Sequence, residues 1–307
     1  MSKFSGVLCI DEVHESSRHI LFATDPILNT TIAWDVVEKC DQASMDAFLD
    51  DIKALGFSPV VVITDGSPLY TEALSERWQD VEHQLCIFHV LAEINRDVLR
   101  AARAVRNELP KPKKRRRGPP CKRGRPREHD DRRAFVTEHL YLIVKRLDRF
   151  TDDNEIDWAR MIEIDPRFET LKGFVDRVHG LFEKGIDKRT ARLRHTLLLN
   201  KEVYTEYPQL ERAMRRLTPE KFEKMIVFMS YTNLDRTNNH VERGNRSFRM
   251  LQKTRYRRRH RRTILLALEL DVLRRWRKHP LYAAYAIKAK RLRRRAKRYG
   301  ATYRKAS

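Results

Sequence analysis

The run Pro59-Val60-Val61-Val62-Ile63-Thr64-Asp65-Gly66-Ser67-Pro68 constrains the chain more than any other stretch. Residues 60–64 are mostly β-branched and are stopped at once by Gly and Pro, which predicts a short strand buried on both faces within a parallel sheet. Asp65 then stands at the C-terminal end of that strand. In open α/β sheets this is the edge where ligands bind, so an acid there is a site candidate. Asp followed by Gly is also a common way to open a turn, and for Asp65 taken alone the two readings are level.

The flanking segments give the strand its setting. Residues 7–14 form an apolar run broken by Asp11, and the patterns over 19–28 and 30–37 predict two further strands. Short links at 15–17 and at Asn29 make the three an antiparallel meander. Residues 44–56 turn helical, with Met45, Phe48, Leu49, Ile52 and Leu55 on one stripe, Ser44 as N-cap and Gly56 as the stop. After the Asp65 strand come a helix over 69–78 and a fifth strand over 82–88. The order βββαβαβ is characteristic of a ribonuclease-H-like fold, a mixed five-stranded sheet with helices. In it the first and fourth strands lie side by side, which brings Asp11 to Asp65 across 54 positions. Two acids on adjacent central strands are costly unless a cation neutralises them.

Beyond residue 89 the strand signals stop. An amphipathic helix is expected over 90–107, and residues 110–127, with 10 Lys+Arg interrupted by Pro and Gly, read as an exposed or disordered loop. Helical periodicity fills 134–229, an all-α insertion. A third acid follows: Asn238, Glu242, Asn245 and Arg249 recur at helical spacing, which sets an acid, two amides and a base on one face. Gly244 within that helix is unfavourable by about 1 kcal/mol relative to Ala. Close approach of DNA or of a neighbouring strand accounts for it, the alternative being a solvated face. Residues 264–276 form an apolar-striped helix expected to pack on the sheet, and the C-terminus is basic and helical.

Charge is distributed unevenly. The first 100 residues hold 7 Lys+Arg against 17 Asp+Glu, a net of −10, so the remainder carries +32 of a total of +22. Residues 246–262 carry 9 Lys+Arg and no acid, and residues 274–305 carry 14 and no acid, interleaved with Tyr256, Tyr282, Tyr285, Tyr299 and Tyr303. An excess this large without balancing acids needs a polyanion, and nucleic acid is the natural one. No run has the length of a membrane-spanning helix and no signal pattern opens the chain, so a soluble intracellular protein is expected rather than a membrane partner. Cys9, Cys40, Cys86 and Cys121 are widely spaced, which fits a reducing compartment, and no CxxC zinc framework is present.

Asp11 on its strand, the Val-Val-Val-Ile-Thr-Asp65-Gly66 block, Cys86-Ile87-Phe88-His89 and Asn238-Asn239-His240-Val241-Glu242-Arg243-Gly244-Asn245 together resemble the DDE transposases of bacterial insertion sequences and their Mutator-like relatives. The resemblance covers nearly the whole chain. It implies a ribonuclease-H-like catalytic domain over 1–95 and 231–277, a helical insertion over 96–230 and a basic tail over 278–307. It implies Asp11, Asp65 and Glu242 as the catalytic acids, holding two Mg2+ or Mn2+ ions, with cleavage and strand transfer at the ends of a mobile element. Such ions, about 3.5–4 Å apart, serve in-line displacement at phosphorus without a protein nucleophile. His89, Asn238, Asn245, Arg249, Arg257, Arg258 and Arg259 are the expected DNA contacts. The partners implied are element ends and target DNA, with a homo-oligomer on DNA and a nucleoid-associated, cytoplasmic location. Glu12 should point to the opposite face of its strand from Asp11 and is the weaker acid candidate. Cys86 and His89 are only two ligands, so packing at the end of the fifth strand is favoured over zinc.

The family usually carries an N-terminal DNA-binding module, whereas this chain opens almost directly on the first catalytic strand. End recognition then falls to the basic segments, or the chain is a truncated copy or one frame of a split element. Two other readings fit the same residues: a non-catalytic DNA-binding derivative of a transposase, and a nuclease of ribonuclease-H type that hydrolyses without joining. The basic segments yield a test that is independent of catalysis. If they hold phosphates, log K for DNA falls against log salt by about 0.9 per contact. Replacing Arg257, Arg258 and Arg259 together with Gln is expected to flatten that slope in a salt titration of DNA affinity; an unchanged slope assigns them to a solvated face.

Overall fold

Three apolar-rich stretches joined by short links form a meander over the described residues between 7 and 37. In a computed structural model of the chain, which describes residues 4–15, 18–111, 131–232, 234, 236–237 and 260–276, β1 (Val7–Glu15), β2 (Arg18–Asp25) and β3 (Thr30–Val37) pair antiparallel in sequence order. The Val-rich run forms β4 (Val61–Thr64), parallel to β1, and β5 (Glu82–Leu85) runs parallel to β4. The sheet order is β3-β2-β1-β4-β5, a mixed five-stranded sheet compatible with a ribonuclease-H-like fold. All four residues of β4 are fully buried, as expected for a central parallel strand.

One face of the sheet is covered by α1 (Gln42–Ala54) and α2 (Pro68–Arg77). Leu8, Ile10, Leu21, Ala23 and Val62 from the strands meet Met45, Phe48, Leu49, Ile52, Tyr70 and Leu74 from the helices. The N-cap of α1 is Asp41 rather than Ser44. Its side chain accepts a hydrogen bond from the backbone N–H of Ser44 at 3.0 Å, so Ser44 is the third residue of the helix, the donor that a cap satisfies. Gly56, at φ +84°, ends the segment as expected.

The chain divides into two compact units, Met1–Cys86 with Asn233–Ser307, and Ile87–Thr232. The fifth strand is shorter than the sequence pattern suggests, because the apolar Cys86-Ile87-Phe88 run belongs partly to a helix. Ile87 joins the buried stripe Ile94, Val98, Ala101 and Val105 of α3 (Ile87–Glu108), and a short apolar run does not by itself separate strand from helix. The second unit continues with α4 (Arg132–His139), α5 (Asp152–Ile164), α6 (Arg167–Gly180), α7 (Lys188–Leu199), α8 (Pro208–Met214) and α9 (Pro219–Met225). Its described residues contain no strand. A buried carboxylate, Asp97 of α3, is neutralised by Arg216 Nε at 3.0 Å and Arg100 Nη1 at 2.8 Å, which satisfies a charge that burial would otherwise penalise. Residues 112–130, which hold most of the basic loop, lie outside the described residues.

Within the first unit, α10 (Arg261–Trp276) lies on β3 and buries Ile264, Ala267, Leu268 and Val272, the packing expected of its apolar stripe. Arg261 donates to the carbonyl of Val36 at 2.9 Å and to Asp35 Oδ1 at 3.0 Å, which ties the helix start to the edge strand. Among the described residues no helix is long and apolar enough to cross a membrane.

The meander depends on one buried acid. Asp25, at the end of β2, accepts from the backbone N–H groups of Ser5 (2.8 Å), Ile27 (3.0 Å) and Leu28 (2.9 Å) and from Ser5 Oγ (2.8 Å). Asp25→Ala strands three backbone donors at once. We expect it to destabilise the fold by about 3 kcal/mol, read as a lowered urea midpoint at unchanged slope.

Candidate active site

The strand pairing decides where the acids stand. β1 and β4 are in parallel register with Val7 opposite Val61, Leu8 opposite Val62 and Cys9 opposite Ile63. Two residues further along each chain come Asp11 and Asp65. Because side chains alternate along a strand, Asp11 shares the face of Cys9, while Asp65 follows β4 directly and opens the turn. Both are half-buried, at the C-terminal end of the parallel pair, the edge where α/β sheets bind ligands.

Asp65 is also a turn residue. Its Oδ1 accepts from Ser67 N at 2.9 Å, so the turn role and a site role coexist in one side chain. The turn is held from below: Gly66 N donates to Thr64 Oγ1 at 3.2 Å, and Thr64 Oγ1 shares a 2.8 Å hydrogen bond with His83 Nε2 on β5. Cys86 N, just past β5, donates to the carbonyl of Thr64 at 2.7 Å and prolongs the β4–β5 ladder toward Asp65.

Glu12 takes the opposite face from Asp11, as alternation requires, yet it is not a bystander. Its Oε2 accepts a 2.6 Å hydrogen bond from the hydroxyl of Tyr70, a fully buried side chain in the first turn of α2. Burial first, then the negative charges of Glu12, Asp65 and Asp11, hold the Tyr70 hydroxyl well above the usual phenol range, so it stays a donor. The half-buried Cys40 thiol is pushed up to about 11 by burial and then by Glu12, Asp41 and Asp65. At neutral pH it is a thiol rather than a thiolate. Three carboxylates, on Asp11 and Glu12 in the middle of β1 and on Asp65 just past β4, therefore act on Tyr70. Tyr70 is the residue that sequence reasoning missed, since an aromatic on an apolar helix stripe reads as core; its place five positions after Asp65 was the available signal.

Cys86 is wholly buried at the end of β5, whereas His89 belongs to the first turn of α3, in the second unit. Among the described residues no group of three or more His, Cys, Asp or Glu side chains is disposed to hold a metal. Asn238, Glu242, Asn245, Arg249, Arg257, Arg258 and Arg259 lie outside the described residues.

The mixed five-stranded sheet is of the α/β class and compatible with a ribonuclease-H-like fold. Residues 8–264 match the model of the transposase family DDE_Tnp_ISL3, and the chain belongs to that family. The matched span takes in Asp11, Asp65 and Glu242 and every expected DNA contact. The chain is thus a DNA transposase, an enzyme of the nucleotidyl-transferase and nuclease class, in a family that generally uses divalent metal ions. No curated protein matches it.

The turn beneath Asp65 gives a direct test of how tightly this edge is built. Gly66 has φ +91°, and a Cβ there would lie 3.3 Å from Leu85 Cδ2. Gly66→Ala therefore meets both an unfavourable backbone and a tight neighbour, and we expect a loss of about 1–2 kcal/mol in urea unfolding.

Proposed function

We propose that the chain cleaves phosphodiester bonds at the ends of a mobile element and joins them to target DNA, in a metal-dependent reaction with Asp11, Asp65 and Glu242 as the acids. The observation that carries this reading is the register of β1 on β4, which sets Asp11 level with Asp65 at a sheet edge within a chain that belongs to a transposase family. The donor set suits the cation. Asp11 and Asp65 offer only oxygen, as hard Mg2+ prefers. Glu242, from the later part of the matched span, supplies the third carboxylate in this reading.

What Mg2+ or Mn2+ supplies when bound is activation of the attacking oxygen and charge relief at the leaving oxygen. The chain's own residues do the rest. Ser67 N holds one oxygen of Asp65, which leaves the other directed by the turn, and the Thr64–His83 bond keeps that turn on the β5 side. Paired acids at this edge repel the phosphate backbone unless compensated, and the basic residues downstream, Arg249, Arg257, Arg258 and Arg259 with Asn238, Asn245 and His89, supply phosphate contacts. In this reading the first unit is the ribonuclease-H-like catalytic domain, Ile87–Thr232 is a helical insertion, and the protein works on DNA in the cytoplasm, associated with the nucleoid.

The test is Mg2+- or Mn2+-dependent nicking and joining of DNA that carries the element's own ends. Asp65→Asn is expected to lower cleavage by at least about 100-fold while leaving DNA affinity within about threefold, because it removes a charge stabiliser and none of the basic residues. Nicking without joined product assigns the chain to hydrolysis instead. Retained cleavage in Asp65→Asn removes that residue from the site.

A further inference from the structure

Tyr70 and Glu12 have no part in the acid triad, yet a short hydrogen bond joins them at this edge. Tyr70 is completely buried among Leu8, Ile10, Val62 and Leu74, so its ring is fixed by packing. Its hydroxyl reaches out of that core to Glu12 Oε2 at 2.6 Å, the short distance of a charge-assisted bond. Both partners border the acids proposed above. Glu12 is next to Asp11 on β1, and Tyr70 begins α2, where its N–H donates to the carbonyl of Ser67 at 3.2 Å. Ser67 is in turn the residue whose N–H holds Asp65. A continuous chain of bonds thus runs from Asp11 in the middle of β1 through Glu12, Tyr70 and Ser67 to the Asp65 carboxylate.

The backbone ladder between β1 and β4 ends before the acids, with Cys9 opposite Ile63 as its last registered pair. Beyond it Asp11 and Glu12 stay in the β1–β2 ladder, opposite Phe22 and Leu21, and the bond from Tyr70 to Glu12 is a side-chain tie between this part of β1 and the helix that follows the Asp65 turn. We propose that Tyr70 and Glu12 are a positioning pair that clamps the Asp11–Glu12 stretch of β1 to the Asp65 turn and so sets the divalent-cation affinity of the site. The inference rests on the reading of Asp11 and Asp65 as cation ligands. The clamp also holds Glu12 on the helix face of the sheet, so that its carboxylate does not swing toward the ligands. Outer partners of this kind commonly matter to metal affinity nearly as much as the ligands themselves.

The experiment is a Mn2+ titration of the full chain without DNA, at 25 °C, followed through the electron paramagnetic resonance signal of the free ion. Wild type is compared with Tyr70→Phe, Glu12→Gln, the double variant and Asp65→Asn, each confirmed as folded by circular dichroism. Tyr70→Phe removes one oxygen from a packed ring and is expected to raise the Mn2+ dissociation constant about tenfold. If the two residues act as one clamp, the double variant binds no more weakly than the worse single variant. Unchanged Mn2+ affinity in Tyr70→Phe overturns the proposal, as do losses that multiply in the double variant, since the residues then act independently. Should Tyr70→Phe fail to fold, Glu12→Gln carries the test, because it breaks the charge of the same bond from the half-buried strand side; wild-type affinity there also overturns the clamp. Asp65→Asn separates the two layers of argument. If it leaves Mn2+ binding intact, the metal-site reading itself falls and the clamp falls with it. If it lowers binding while Tyr70→Phe does not, only the clamp is wrong.

Discussion

Three backbone pairs between β1 and β4, ending with Cys9 opposite Ile63, decide where the acids of this transposase stand. Parallel pairing lets residues far apart in sequence share a face, and here it sets Asp11 level with Asp65. A slip of one residue would turn one of the two acids to the opposite face. The register is protected by burial: Leu8, Ile10 and Val62 are wholly inside the core with α1 and α2, and Cys9 and Ile63 are wholly buried as well. Moving either strand would expose apolar side chains on one face and bury an acid on the other.

The same edge concentrates negative charge. Asp11, Glu12 and Asp65 all act on the Tyr70 hydroxyl, and Glu12 and Asp65 act on the Cys40 thiol. Elsewhere the fold pairs its buried charges internally. Asp97 has two guanidinium partners, Asp25 has three backbone donors and a hydroxyl, and Lys172 donates to Asp176 at 2.6 Å and to the Lys145 carbonyl at 2.7 Å. Each of these buried charges is satisfied within the protein, as low-dielectric surroundings require.

The strands were legible because their signals are local. The β-branched run of β4, the alternation of β1 to β3 and the apolar stripe of α1 each follow from neighbouring residues, and so does the stripe that lays α10 on β3. The errors were local as well, at boundaries where two rules compete. Asp41 and Ser44 both suit an N-cap, and only the position of the helix start separates cap from third residue. Cys86-Ile87-Phe88 fits a strand and a helix equally until the stripe through Val105 is counted.

For the site, the sequence by itself determined which side chains could do chemistry: an acid that ends a buried strand, an acid inside the first strand, and basic runs without counter-charge. It also carried enough pattern to place the chain in its family over residues 8–264. Only the tertiary structure decided the company those residues keep. The alternation of β1 predicted that Glu12 turns away from Asp11, but not that a tyrosine 58 positions later would hold it at 2.6 Å. Nor did the spacing of Thr64 and His83 announce the bond that supports the Asp65 turn. Such contacts depend on which strands lie side by side and on how α2 packs beneath them, and these are long-range choices made by burial of the whole core rather than by any single stretch of sequence.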